Sequence, residues 1–125
     1  MKKTDEMLTE QDDIVITCLD YIEGWYSGDS ARIERAIHPE LAKRIQETTA
    51  TGELVVEHSG AKELVNWTAQ GIGKADPHPR SDVQILDIFG RTASVRIDAG
   101  SWVDYLHLIH TSKGWKIINV LWERR

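Results

Sequence analysis

Apolar residues recur at helical intervals through the first part of the chain and at every second position through the last third. In "DEMLTEQDDIVITCLDYIEGWYSGD" the residues Ile14, Cys18, Tyr21, Ile22 and Trp25 fall at i, i+4, i+7, i+8 and i+11, one stripe on a helix. Gly28 is placed to end it. "SARIERAI" predicts a short second helix with Asp29 or Ser30 as its cap. Pro39 stops that helix, because the residue before a proline avoids helical dihedrals. "KRIQETTATGELVVEHS" reads as a hairpin. "GAKELVNWTAQGIG" sets Leu64, Trp67 and Gly71 at helical spacing and predicts a third helix, with "KADPHPR" as a stiff connector.

The strands follow. "DVQILDIFGRTASVRIDAG" alternates on both sides of Gly90–Arg91, a two-residue hairpin turn that sets Phe89 opposite Thr92. In that register Leu86, Ile88, Ala93, Val95 and Ile97 share an apolar face. Asp87, Ser94, Arg96 and Asp98 share a wet one. The last hairpin, "WVDYLHLIHTSKGWKIINVLWERR", is apolar on both faces. A three-residue Ser112–Gly114 loop pairs Thr111 with Trp115, Leu108 with Ile118, Leu106 with Val120 and Asp104 with Trp122. A four-residue loop would instead set Asp104 opposite Leu121. The reverse face gathers Tyr105, His107, Ile109, Ile117, Asn119 and Leu121. A sheet leaves only one face in water without cost, so this second face is expected to meet another copy of the chain. His107 and Asn119 would form a polar pair within that contact, able to fix its register.

Composition narrows the function classes. At 125 residues the chain is expected to form one domain, 1–125, with one core. Its 15 basic and 20 acidic side chains give a charge of −5 and no basic stripe, which argues against nucleic acid or an anionic membrane as partner. No apolar run approaches the ~18 residues of a spanning helix. The start, "MKKTDEMLTEQDD", lacks the apolar stretch of a secretory signal. The single cysteine, Cys18, fits a reducing cytosol. It lies on the helical stripe with no cation beside it, so it is expected to be a buried thiol and not a nucleophile.

The stretches "YIEGWYSGD", "AIHPELAKR", "ILDIFGRTASVRI", "WVDYLHL" and "GWKIINVLW", in this order and spacing, resemble the nuclear transport factor 2-like superfamily, and within it the bacterial lumazine-binding, SnoaL-like branch. The resemblance runs from about Tyr21 to Trp122. It implies an α+β fold: N-terminal helices on a strongly curved antiparallel sheet, closing a cone around an internal cavity. The fold hosts many functions, so it does not fix one. Ketosteroid isomerases, more distantly similar, use a tyrosine on the first helix, a protonated aspartate on a late strand and an aspartate base. Tyr21 stands where that tyrosine would, and Asp104 with Trp122 resembles the late-strand acid and its indole neighbour. The base does not carry over. Its position falls near Ile45, and Glu47 is the closest carboxylate.

If Asp104 faces the cavity, poor solvation of its charge raises its pKa, and a neutral acid beside Tyr21 could offer two donors to a carbonyl or enolate oxygen. That arrangement is the one known from ketosteroid isomerase. The alternative is that Asp104 and Tyr21 satisfy each other as a buried polar pair. Trp25, Trp67, Leu106, Leu108, Val120 and Trp122 are the residues expected around a ligand, and packing is the alternative for each of them. His107 and His110, three apart on a strand, point to opposite faces and cannot share an ion. Zinc spacings are absent, so no metal or cofactor is expected. The leading expectation is a cytoplasmic homodimer binding a small apolar or heteroaromatic molecule. An isomerase, dehydratase or cyclase is the first alternative, needing Glu47 or His38 as base. An assembly module without a working cavity is the second.

Overall fold

The computed structural model describes residues 9–125. The expectation about a secretory signal falls largely on the segment before these and lies outside the described residues.

Helix α1 (Glu10–Ser27) opens with a capping box in which the Thr9 hydroxyl accepts from the Asp12 N–H and the Asp12 carboxylate accepts from the Thr9 N–H. It closes at Gly28, whose φ of 71° is the left-handed conformation that glycine adopts without strain. Its stripe of Ile14, Cys18, Tyr21 and Ile22 is fully buried. Helix α2 (Ser30–Ala36) is capped by Asp29, which accepts from the Arg32 N–H. Arg32 and Arg35 both clamp Asp20 of α1, fixing the angle between the two helices. Helix α3 (Ala61–Ala69) follows later, and Gly71 lies beyond its end, leading into a 3₁₀ turn over Ile72–Ala75.

Six strands form one sheet: β1 (Ile37–Thr48), β2 (Leu54–Ser59), β3 (Asp82–Phe89), β4 (Thr92–Asp98), β5 (Trp102–Thr111) and β6 (Gly114–Arg124), in the spatial order β2-β1-β6-β5-β4-β3. Two features of the expected sheet are corrected here. The sheet is mixed, because β1 pairs with β6 in parallel, and it is not strongly curled. β1 leaves α2 without a loop, so the packing of α2 fixes its direction; hairpin reasoning, which joins only neighbouring strands, does not reach this pairing.

The β3–β4 hairpin turns where expected, with Phe89 opposite Thr92, but its register breaks between Ile85 and Asp87. This bulge leaves Leu86 out of the ladder and 48% exposed, so Val83 and Ile85, not Leu86, join Ile88 against the core. Asp98, expected to be wet, is buried, held by the Gly100 N–H and by Arg125.

In the last hairpin two departures cancel. The loop has two residues, so Thr111 pairs with Gly114 and His110 with Trp115. A bulge between His107 and Leu108 then takes up Ile118, restoring Leu106 opposite Val120 and Asp104 opposite Trp122. Below the bulge, Leu108 faces Ile117 instead of Ile118. Ile117 therefore belongs to the core and not to the reverse face. His107 and Asn119 are cross-strand partners, their Nδ1 and Nδ2 atoms 3.2 Å apart.

Candidate functional site

The inner face of the sheet is built in rows. Ile45, Trp122, Asp104 and Ile97 form one row across β1, β6, β5 and β4, and Lys43, Val120, Leu106 and Val95 form the next. Alternation along β1 sends Leu41, Lys43, Ile45 and Glu47 to this face, with Leu41 and Ile45 buried. A chamber of about 590 Å³ opens between α3 and the β1–β2 end of the sheet. Trp25, Trp67, Trp102 and Trp122 line it, with Leu64 and Ile45 as the aliphatic wall. The Trp102 and Trp122 rings meet edge to face at 6.2 Å, and Tyr26 leans on Trp102 at 5.9 Å. Glu47 and Arg124 are ion-paired, and Glu57 and His58 add further polar groups to the lining.

At the base of this chamber three polar side chains meet. Lys43 and Asp104 stand on strands separated by β6, two strand spacings or roughly 9–10 Å apart. Tyr21, arriving from α1, bridges them. Its hydroxyl donates to Asp104 Oδ2 at 3.2 Å and accepts from Lys43 Nζ at 2.6 Å. The Lys43 Nζ also lies 5.1 Å from the Tyr21 ring centre and 5.3 Å from that of Trp122. Asp104 Oδ1 and the Trp102 indole nitrogen are buried without a formed hydrogen bond. The indole is near enough to favour the carboxylate's charge, but no closed bond satisfies either atom.

Burial dominates the electrostatics here. It raises Asp104 above the ordinary carboxylate range, with Lys43, Trp102 and Tyr21 opposing. It also depresses Lys43, with Asp104 opposing. Tyr21 is raised well above an ordinary phenol by burial and then by Asp104, so it stays protonated. Cys18 is buried and pushed up to about 12, first by burial and then by Asp104, so it is no nucleophile at neutral pH.

The expected site residues divide into two groups. Trp25, Trp67 and Trp122 line the chamber, whereas Leu106, Leu108 and Val120 are fully buried in the core beneath it. Tyr21 and Asp104 come together as the pattern suggested, but behind the wall, and Lys43 stands in front of them. His38 turns back to accept the Glu40 N–H and does not reach the chamber, so it cannot serve as the base there. Glu47 does reach it, bound to Arg124. Lys43 and Trp102 escaped sequence reasoning, although strand periodicity carried both. Lys43 lies two residues from Leu41 and from Ile45, and Trp102 lies two before Asp104. Among the described residues no three His, Cys, Asp or Glu side chains gather as a metal would require, and no helix is long and apolar enough to cross a membrane.

Comparison with known proteins gives the same architecture. The family described as "Putative lumazine-binding" matches residues 9–123. An NTF2-like protein of unknown function from Shewanella baltica OS155 superimposes with a TM-score of 0.66 at 18% identity, over 99% of this chain and 98% of its own. One from Methylobacillus flagellatus KT gives 0.67 at 19% identity, over 98% and 94%. An NTF2-like protein with a cystatin-like fold from Novosphingobium aromaticivorans gives 0.68 at 12% identity, over 95% and 84%. At these identities the likeness is one of fold. No functionally curated protein matches the chain.

Proposed function

The chain belongs to the "Putative lumazine-binding" family, with an NTF2-like fold, and from that premise we propose that its chamber binds a small, flat, heteroaromatic or otherwise apolar ring compound. The observation that carries this reading is the lining: four indoles around about 590 Å³, a volume within the usual range for small-ligand sites. Indole faces offer stacking and large apolar contact, and few polar groups are needed to orient a ring. One of those groups is supplied by Lys43, whose side chain lines the chamber. Tyr21 and Asp104 serve as positioning residues, holding Lys43 against the wall.

Titration of the purified protein with lumazine tests this, read by quenching of tryptophan fluorescence. Saturable quenching is expected, with an affinity at least tenfold weaker in Trp122→Ala. Quenching that rises linearly, as it does for free tryptophan, would contradict the reading. An isomerase of the ketosteroid kind receives less support, because its base position is occupied by Ile45 and Glu47 is engaged by Arg124.

The back of the sheet supports a second part of the proposal, a homodimer. On β5 and β6, Tyr105 is 51% and Leu121 56% exposed, cross-strand neighbours on the side away from the chamber. His107, Ile109 and Asn119 continue that face, and the bulged Ile118 takes the place expected for Ile117. The His107–Asn119 pair at its middle is suited to setting the register of two copies.

A further inference from the structure

Lys43 can do more than orient a ring, because its amine is sunk beside a phenol. Lys43 makes no ion pair among the described residues; its Nζ donates to Tyr21 Oη at 2.6 Å while its side chain lines the chamber next to Trp122. The other long cation in the lining, Arg124, is committed to Glu47. Building on the ring-binding reading above, we propose that Lys43 is a carbonyl-capturing amine, forming a reversible imine with an aldehyde or ketone borne by a small aromatic ring seated among the indoles.

The chemistry balances within the residues present. The Nζ lone pair attacks the carbonyl carbon, a C–N bond forms, the nitrogen gives up a proton and the carbonyl oxygen takes one, leaving a carbinolamine. The C–O bond then breaks, the oxygen leaves as water, and a C=N bond remains: amine plus carbonyl gives imine plus water. Both halves need a proton source and sink beside the nitrogen. Tyr21 is in hydrogen-bond contact with Lys43 and, on its far side, with Asp104, so the two form a line along which that proton can pass. An amine acts as a nucleophile only when neutral, and the burial that depresses Lys43 favours that form. Lys43 and Tyr21, in contact at the reacting nitrogen, are the catalytic pair in this scheme, and Asp104, which acts through Tyr21, is a positioning residue.

The full chain would be incubated with benzaldehyde and sodium cyanoborohydride, which fixes an imine as a benzylamine, and the adducts mapped by mass spectrometry. Capture at Lys43 is expected at least tenfold faster than at the exposed Lys62 and Lys113, which are references within the same folded molecule. Tyr21→Phe should slow capture at Lys43 and leave Lys62 unchanged. Labelling of Lys43 no faster than of Lys62, or Lys43 capture unaffected in folded Tyr21→Phe, would overturn the proposal. Saturable lumazine quenching without fast Lys43 capture would remove the imine chemistry and leave ring binding standing. Fast capture without lumazine quenching would do the reverse.

Discussion

Lys43 and Tyr21 meet from opposite layers of the molecule, a strand nitrogen 2.6 Å from a helix phenol oxygen. The contact exists because β1 lies beside β6 in a parallel ladder that sets Lys43 level with Val120, inside the sheet and under α1. Tyr21 then has two polar neighbours, one on each side of β6. Among the described residues it is the only link between Lys43 and Asp104 by hydrogen bonds.

Removing that link should cost stability. Tyr21→Phe keeps the ring in the core but leaves Asp104 Oδ2 and Lys43 Nζ each without its partner. Stranding buried polar groups costs about 1–3 kcal/mol. Urea denaturation of wild type and variant at neutral pH should show a loss in that range, and an unchanged midpoint would show that the bridge contributes nothing.

Asp104 sets a pH dependence with a definite sign. Its folded pKa is raised, so between the unfolded value of about 3.9 and the folded one the native state holds the proton and the unfolded state does not. Its contribution to stability is complete below about pH 3.9 and is lost as pH rises through the folded pKa. Asp104→Asn should remove this fall, so the difference in stability between variant and wild type grows in the variant's favour as pH rises across that window. Parallel curves would contradict the shift. Lys43, depressed, acts in the other direction: its contribution is complete above about 10.4 and is lost as pH falls through its folded pKa.

Gly73 is buried in the 3₁₀ turn against α1, and a Cβ there would run into the Trp25 carbonyl oxygen and come within 2.8 Å of the Trp25 ring. Gly73→Ala should destabilise the fold by about 1–3 kcal/mol, the usual cost of overpacking, and weaken ring binding by moving Trp25. Thermal melts and fluorescence titration check the two effects together.

The proposed homodimer predicts sensitivity on the far side of the sheet. Leu121→Asp should convert a dimer at tens of micromolar to a monomer in sedimentation, with lumazine quenching retained, since Leu121 does not line the chamber. Wild type sedimenting as a monomer would remove this part of the account.

Sequence patterning carried the helices and the hairpins, because burial imposes periods of 3.6 and 2 that survive in the residue order; the pairing of Asp104 with Trp122 came out as expected only because a shorter loop and an unforeseen bulge offset each other. Long-range features left weaker traces. The parallel β1–β6 ladder pairs residues about 80 positions apart, such as Ile37 with Ile117 and Ile45 with Trp122, and nothing local to either strand marks it. The bulges at Leu86 and Ile118 lie in runs of apolar residues where either of two neighbours could face inward. Lys43 was hidden for the opposite reason: a charged residue in a mixed strand reads as solvated, and only the buried Leu41 and Ile45 on either side reveal that it points inward.

The central claim, a ring held among four indoles, is tested most directly by the tryptophan side-chain N–H signals of ¹⁵N-labelled protein during a lumazine titration. The chain has five tryptophans. Trp25, Trp67, Trp102 and Trp122 line the chamber, whereas Trp115 is buried on β6 beside His110 and outside the lining. Four signals should shift progressively to saturation while that of Trp115 stays in place. If none of the four moves, or if Trp115 moves with them, the chamber is not the binding site.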